Sequence, residues 1–178
     1  SKALGAADGT PPASERIVMA GIGIGGQGSG DLGQFSRDKR VQVVAVCDVK
    51  YGALERWKSN NDVKTYIDYR DICARTDIDA IMCGTPDHWH AHQILDAAKR
   101  HKHIYCEKPL TLTLREAQLV IPAVQKAGVV FQTGSQQRTE FGQKFVRACE
   151  LIRNGRLGKV MTVHVGVGDP PVACALDA

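Results

Sequence analysis

Three glycines in the N-terminal part of the chain are placed to bind a pyrophosphate. Gly23, Gly25 and Gly28 follow an apolar run long enough for one buried strand, in the spacing G-x-G-x-x-G. Glycine permits a tight turn, the approach of backbone N–H groups to phosphate oxygens, and close packing of the next helix on the strand. That helix directs its positive end at the phosphates. We therefore predict a dinucleotide site at this turn, with Gly26 and Gln27 inside it.

The glycine-rich stretch also offers a second register, because Gly21, Gly23 and Gly26 fit the same spacing. We prefer the first register, since the second would shorten the preceding strand. A flexible surface loop is the alternative that needs no ligand. The apolar strands predicted on both sides of the turn argue against it.

Asp48 closes the next apolar run, about 20 positions after Gly28. A carboxylate at the tip of that strand can accept hydrogen bonds from both hydroxyls of a ribose. This favours NAD over NADP, because a 2′-phosphate would meet a negative charge. Lys50 weakens the preference, since its ammonium could pair with that phosphate, and NADP remains an alternative cofactor.

Lys108 is the candidate catalytic residue, in the sequence E-K-P directly after an apolar segment. Its ammonium could hydrogen-bond a substrate hydroxyl and, if desolvated, release or accept a proton. The alternative is an ordinary surface lysine. Glu107 is either a solvated carboxylate or a contact to the nicotinamide ribose. Thr85, Pro86 and Gln136 also follow predicted strands, and we expect them to contact the cofactor.

Three histidines alternate in the segment D-H-W-H-A-H, which suggests a metal site at first sight. No glutamate or cysteine is suitably spaced beside His88, His90 and His92, so we predict that the chain binds no metal. We expect His90 to face the cofactor cleft and the other two to be solvated. Trp89 is either a packing residue or a wall of the nicotinamide pocket.

The elements that would position these residues alternate between strand and helix, which predicts an α/β fold with a doubly wound parallel sheet, a Rossmann domain. We expect the strand order 3-2-1-4-5-6. The predicted strands are 17–22, 41–47, 64–67, 79–84, 103–106 and 129–133. The first helix is predicted to continue through residues 31–35. The later helices are predicted over 51–59, 69–74, 89–100, 113–127 and 142–154. Pro122 is expected to kink or break the fifth helix.

The predicted domain organisation has three parts. Residues 1–15 are small, polar and proline-rich, as in a flexible leader or linker. Residues 16–134 form the dinucleotide-binding domain. Residues 135–178 would supply a connecting helix and one strand, 160–165, which has no partner to pair with. We therefore expect that a second domain has been cut off.

Composition restricts the function classes. The chain has 43% hydrophobic and 24% charged residues, and its net charge of +4 comes from scattered side chains, which argues against a nucleic-acid partner. No apolar stretch reaches the roughly 18 residues of a membrane span. The six cysteines form no C-x-x-C pair, and we interpret Cys47, Cys83 and Cys106 as reduced core residues. A cytoplasmic and an exported location both remain open.

Several motifs together resemble the Gfo/Idh/MocA family, that of glucose-fructose oxidoreductase and inositol dehydrogenase. They are G-I-G-G-Q-G after the first strand, A-V-C-D closing the second, T-P-D-H-W-H after the fourth and Y-C-E-K-P-L after the fifth. V-F-Q-T-G-S-Q-Q-R and G-R-L-G-K-V support it further. The resemblance covers residues 16 to about 166, and E-K-P is its most specific element.

This resemblance implies an NAD(P)-dependent oxidoreductase that transfers hydride between nicotinamide and a hydroxyl carbon of a sugar, polyol or related compound. The family's catalytic lysine maps to Lys108, whereas its catalytic Asp and His lie in a C-terminal α/β domain that binds the substrate and is truncated here. We therefore expect the 178-residue chain alone to be inactive, and the whole protein to form a homo-oligomer through that domain. The family's NAD-dependent glycosidase branch and a non-catalytic nucleotide-binding sensor are the alternatives.

Overall fold

The computed structural model describes residues 11–58, 62–136, 141–166 and 168. The chain divides into two compact units between Ser135 and Gln136. The first unit contains a six-stranded parallel sheet. Its strands are β1 Ile17–Ile22, β2 Val41–Cys47, β3 Lys64–Tyr66, β4 Ala80–Cys83, β5 His103–Cys106 and β6 Phe131–Thr133. Its helices are α1 Gly26–Phe35, α2 Tyr51–Lys58, α3 Tyr69–Ala74, α4 Asp87–Lys99 and α5 Leu114–Ala127.

The strand order is β3-β2-β1-β4-β5-β6, which confirms the predicted topology. Strands β2 and β3 follow β1 on one side of it, and β4 then pairs with the other side of β1. The order reverses between β1 and β4. In open α/β sheets, ligands bind beyond the carboxyl ends of the strands at this switch point.

Apolar residues cover both faces of the sheet, and the two-residue period of the strands sends neighbours to opposite faces. In β4, Ile81 and Cys83 join the core cluster that includes residues of α3, α4 and α5, whereas Ala80 and Met82 join the cluster of α1 and α2. The cysteines of β2, β4 and β5 are buried free thiols, as predicted from their apolar segments.

Helix α5 continues through Pro122, so the break that was one of the two outcomes predicted there is wrong. Proline removes one hydrogen bond to the carbonyl four residues earlier. Pro122 lies on the exposed side of the helix, where water can bond to that carbonyl. Both ends are also capped, by a reciprocal box between Thr113 and Glu116 and by Gly128 in the left-handed conformation.

The second unit contains helix α6, Lys144–Arg153, preceded by a 3-10 turn at Phe141–Gln143. The strand predicted over residues 160–165 is wrong, because residues 160–166 adopt no regular secondary structure. A strand needs a neighbour for its backbone hydrogen bonds, and none pairs with this segment in the described part of the chain.

At the N-terminus, residues 1–10 of the predicted leader lie outside the described residues, and Ala13–Glu15 forms one 3-10 turn. Among the helices of the described ranges, none combines the length and the apolar character that crossing a membrane requires.

Candidate functional site

The carboxyl edge of the sheet is joined laterally by a row of backbone hydrogen bonds. The first residue beyond a strand donates its N–H to the last residue of the neighbouring strand, at 2.8–3.2 Å. The five bonds run from Asp48 to Tyr66, from Gly23 to Cys47, from Gly84 to Ile22, from Glu107 to Cys83 and from Gly134 to Cys106. We call this row of five hydrogen bonds the exit row. Because the row crosses all six strands, the loops after them begin side by side.

The predicted phosphate-binding turn lies at the centre of this row. Gly23 has a φ of +74°, and a Cβ on it would lie 2.5 Å from the Thr85 nitrogen. A Cβ on Gly28 would overlap the carbonyl oxygen of Gly23. Gly21, by contrast, lies inside β1. The geometry therefore fits the register Gly23, Gly25 and Gly28, in which the glycines allow a close approach of turn, helix and β4.

Helix α1 begins directly at this turn, with Gly25 as its N-cap and Gly26 as its first residue. The first N–H groups of a helix have no partner within the helix and carry the positive end of its dipole. Gly25 makes no side-chain cap, and the Gln27 side chain points along the helix to Asp31, at 2.8 Å. The end of α1 can therefore receive an anion such as a phosphate.

Asp48 is tied back onto the glycine turn. Its Oδ2 accepts the N–H groups of Ile24 at 3.0 Å and Gly25 at 3.1 Å, and its Oδ1 accepts the N–H of Lys50 at 2.8 Å. These bonds hold a carboxylate next to the turn at the tip of β2. It can meet the hydroxyls of a ribose whose phosphates lie on α1, which is the role predicted for it.

Thr85 and Pro86 form the exit from β4 into α4. The Thr85 hydroxyl donates to Oε1 of buried Gln93 at 2.9 Å, so the side chain is fixed by the following helix. Pro86 is exposed and is the N-cap of α4. Thr85 lies beside Gly23, and the sequence predicts a cofactor contact for both Thr85 and Pro86.

Glu107 is buried, with 4% of its surface exposed, so the solvated carboxylate considered from the sequence is wrong. Its Oε1 accepts the Tyr105 hydroxyl at 2.9 Å, and its Oε2 accepts the N–H of Lys108 at 3.2 Å. The carboxylate also packs over Gly134, where a Cβ would lie 2.7 Å from the Tyr105 hydroxyl oxygen. Glu107 thus anchors the first residues beyond β5.

Lys108, the predicted catalytic residue, follows Glu107 and is exposed at the carboxyl edge of the sheet. A cis peptide bond joins it to Pro109. Its backbone is held by the Glu107 carboxylate, while its side chain is directed to solvent, with room to meet a substrate. The predicted position of Lys108 at this edge agrees with the structure.

The three alternating histidines separate. His88 and His92 are exposed, as expected, but His90 is 1% exposed and both of its ring nitrogens face backbone carbonyls. The expectation that its ring faces the cleft is therefore wrong. Trp89 is 46% exposed and packs edge-on against Tyr69, with ring centroids 6.2 Å apart. Among the described residues, no three His, Cys, Asp or Glu side chains converge as a metal site would require.

The sequence did not identify some residues that shape the site. Gly84 packs so closely that a Cβ on it would lie 2.7 Å from the Gly23 oxygen, and Gly134 makes room for Tyr105 and Glu107. A glycine directly after a strand is the available signal for both. Gln136, a predicted cofactor contact, belongs to the second unit and remains a prediction.

A cavity of about 440 Å³ lies at the opposite, amino edge of the sheet, around Ile78, Asp79 and Lys102. The Lys102 ammonium there donates to the carbonyls of Arg75 and Ile78, at 2.6 and 2.8 Å. The exit row lies at the other end of the strands. This cavity therefore contains none of the residues predicted to bind cofactor.

Comparison with known proteins gives a consistent result. Residues 16–135 match the model of the Gfo/Idh/MocA proteins, described as an oxidoreductase family with an NAD-binding Rossmann fold. The chain is 33% identical over 159 residues to the uncharacterised oxidoreductase YrbE of Bacillus subtilis, covering 88% of this chain and 46% of that protein. It is 34% identical over 154 residues to inositol 2-dehydrogenase of Salmonella typhimurium, covering 83% and 45%.

Among solved structures, myo-inositol 2-dehydrogenase from Lactobacillus plantarum is similar with a TM-score of 0.73 and 27% identity. The match covers 82% of this chain and 43% of that one. The chain thus spans about half the length of the relatives that it matches.

Proposed function

The chain belongs to the Gfo/Idh/MocA oxidoreductase family, whose shared domain is an NAD-binding Rossmann fold, and on that premise we propose that the whole protein is an NAD(P)-dependent dehydrogenase. It transfers hydride between the nicotinamide and a hydroxyl carbon of a polyol, sugar or related compound. Two of the named relatives are inositol dehydrogenases, so inositols are the first substrates to test.

The single observation that carries the proposal is the exit row. Through it the glycine turn, Asp48 and the residue before Lys108 meet at one edge of the sheet. The turn and α1 would bind the pyrophosphate, and Asp48 the adenosine ribose. Lys108 would then lie where a substrate above the nicotinamide presents its hydroxyl, and would hydrogen-bond that hydroxyl or move its proton.

The remaining cofactor contacts are proposed by position. Thr85 and Pro86 would line the nicotinamide half of the site, and Glu107 would hold the loop beyond β5 while its carboxylate borders the nicotinamide ribose. Gln136 would contact the cofactor from the second unit. Residues 16–134 would form the cofactor domain, and residues 135–178 the beginning of the substrate domain, through which the whole protein would form a homo-oligomer.

Bound NAD(P) would supply the hydride acceptor or donor. The protein would hold the substrate carbon about 3–3.5 Å from the ring and provide a proton acceptor of suitable pKa. The family resemblance places most of the substrate-holding residues in the part of the relatives that this chain does not span. The 178-residue chain is therefore expected to bind cofactor weakly and to be inactive by itself.

Steady-state assays of the whole protein test the proposal. NADH or NADPH formation would be followed with a panel of inositols, sugars and linear polyols. Turnover with at least one, lost in Lys108→Met, is expected. Bond cleavage of a glycoside without accumulation of NADH would instead support the glycosidase alternative. Cofactor binding without turnover of any compound would support a sensor and overturn the dehydrogenase proposal.

A further inference from the structure

His90 lies in the core between two exit loops. Its Nε2 is 2.7 Å from the carbonyl oxygen of Thr85, and its Nδ1 is 2.8 Å from the carbonyl oxygen of Pro109. The first carbonyl belongs to the loop after β4, and the second to the loop that carries Lys108. One buried side chain therefore contacts both loops of the proposed site from the core.

Both partners of the ring are acceptors. A neutral imidazole has one N–H donor and one nitrogen that can only accept, so it can satisfy one carbonyl and must oppose the other lone pair to lone pair. An imidazolium has two N–H donors and can satisfy both carbonyls at once. The two short distances therefore favour the charged ring.

A buried charge needs compensation. The Cys106 thiol, at the end of β5, is a neighbour of the ring, and Cys83 is its register partner in β4. Burial opposes the charged form of His90, but its hydrogen bonds to Cys106, Pro109 and Thr85 raise its pKa to about 9. A hydrogen bond from Cys83, against burial and with help from His90, lowers the pKa of Cys106 to about 6. The charge of an imidazolium close by favours the thiolate of Cys106, whereas the buried Glu107 carboxylate opposes it and the Cys106 Sγ also lies 3.6 Å from the Glu107 carbonyl oxygen.

We infer that His90 is a positioning residue, held as an imidazolium whose two N–H groups tie the carbonyl of Thr85 to that of Pro109 and so fix the backbone that follows Lys108. The Glu107 carboxylate fixes the backbone before Lys108, because it accepts the N–H of Lys108. The positioning role rests on the proposed function, whereas the ionisation of the ring does not.

The ionisation is tested by NMR of the chain with ¹⁵N-labelled histidine, at about pH 7.5, one unit above the ordinary histidine pKa of about 6.5. Both ring nitrogens of His90 are expected to carry slowly exchanging protons. The signals that disappear in His90→Gln identify the residue. A neutral His90 with one protonated nitrogen would overturn the inference.

The tie is tested by amide hydrogen exchange in His90→Gln, with His92→Gln on the same helix as the matched control. Exchange about tenfold faster is expected at the amides of Gly84, Thr85, Glu107, Lys108 and Leu110 in His90→Gln only. Unchanged exchange there would overturn the tie. If His90→Gln does not fold, the unsubstituted chain decides: protection of both segments, corrected for intrinsic rates, should fall as the pH passes about 9. Protection that persists in both segments would overturn it.

Kinetics of the whole protein then test the consequence for Lys108. At saturating cofactor, kcat of His90→Gln is expected to fall about 10- to 100-fold, the scale of a misplaced catalytic group, with His92→Gln unchanged. An unchanged kcat in folded His90→Gln would overturn the positioning role. Absence of turnover in the unsubstituted protein would instead mean failure of the proposed function, and the NMR and exchange results would still decide on the ring and the tie.

Discussion

Oδ2 of Asp48 accepts the N–H of Gly25 at 3.1 Å, which joins the tip of β2 to the N-cap of α1. The residue proposed to bind the ribose and the turn proposed to bind the phosphates are thus held together before any ligand arrives. A change at Asp48 should affect both cofactor affinity and the choice between the two nicotinamide cofactors.

Replacing Asp48 with Ala should weaken NAD binding by about 1–3 kcal/mol, the scale of a lost charged hydrogen bond. NADP binding should improve relative to NAD, because the negative charge that opposes a 2′-phosphate is gone. Asp48→Asn is the matched control, since it keeps an acceptor for the turn but removes the charge. Titrations of both cofactors by nicotinamide fluorescence measure the effect, and an unchanged preference in both variants would contradict the assignment.

Replacing Lys108 with Met in the whole protein should lower kcat by about 10²–10⁴, the usual contribution of general acid–base catalysis. Cofactor affinity should stay nearly unchanged, because the exposed ammonium is proposed to contact substrate. Lys126→Met, also an exposed lysine, is the control. Steady-state kinetics with the best polyol decide, and full activity would remove Lys108 from the mechanism.

Replacing Gly28 with Ala should abolish NAD binding and destabilise the fold, because the new Cβ would overlap the Gly23 carbonyl oxygen. Gly30→Ala lies in the same helix with no atom within 4 Å of the added carbon. It should therefore be neutral or stabilise by about 0.5–1 kcal/mol, the ordinary gain from glycine to alanine in a helix. Urea unfolding and NAD titration of both variants make the comparison. Equal effects of the two substitutions would contradict the proposed need for glycine at position 28.

Replacing Tyr105 with Phe should cost about 1–3 kcal/mol of stability, because the buried Glu107 carboxylate loses the hydroxyl that donates to it. Tyr51→Phe is the control, since Tyr51 is 67% exposed, and its effect should stay within about 0.5 kcal/mol. The free energy of unfolding from urea titrations is the measurement. Equal losses in the two variants would show that the hydroxyl of Tyr105 does not support Glu107.

The pH dependence of stability should depend on Cys106. A raised pKa of about 9 means that His90 stabilises the fold below about pH 6.5, an effect lost as the pH rises through 9. A lowered pKa of about 6 gives Cys106 the opposite sign, with stabilisation lost as the pH falls through 6. Between these limits the folded protein holds one proton more on His90 and one fewer on Cys106, so the two slopes cancel.

Cys106→Ser removes the contribution of Cys106 and part of what raises the pKa of His90, whose hydrogen bonds to Pro109 and Thr85 remain. Relative to the unsubstituted chain, its free energy of unfolding should fall as the pH rises above about 6.5, by at most about 1.4 kcal/mol per pH unit. Urea unfolding at several pH values, followed by tryptophan fluorescence, gives the two curves. Parallel curves would contradict the prediction, because they would show that His90 takes up no proton on folding once Cys106 is replaced.

The sequence predicted the sheet well because the apolar pattern of the strands and the residues that end them agreed there. Continuous apolar runs ended in glycine, aspartate or E-K-P, so that β1, β2 and β5 were predicted with the boundaries observed. The site was predicted only as far as the backbone determines it. The direction of a side chain depends on partners distant in the chain, and no local pattern places the Pro109 carbonyl beside His90.

Two other errors have the same origin. Residues 160–165 have a strand composition, but a strand forms only where a partner accepts its hydrogen bonds. Pro122 is unfavourable in a helix by its own chemistry, yet capping at both ends of α5 and an exposed position outweigh that local cost. In each case the interaction that decided the outcome lies outside the window from which the prediction was made.

The exit row has a consequence for the evolution of the family. Its five bonds are made by backbone atoms only, so side chains beyond the row take no part in them, although Gly23, Gly84 and Gly134 in the row itself leave no room for a Cβ. Loop sequences beyond the row can therefore diverge or be exchanged between relatives without loss of strand register. A single framework could in this way acquire new substrates by substitution in its loops, and chimeric proteins joined at these positions are a practical route to altered specificity.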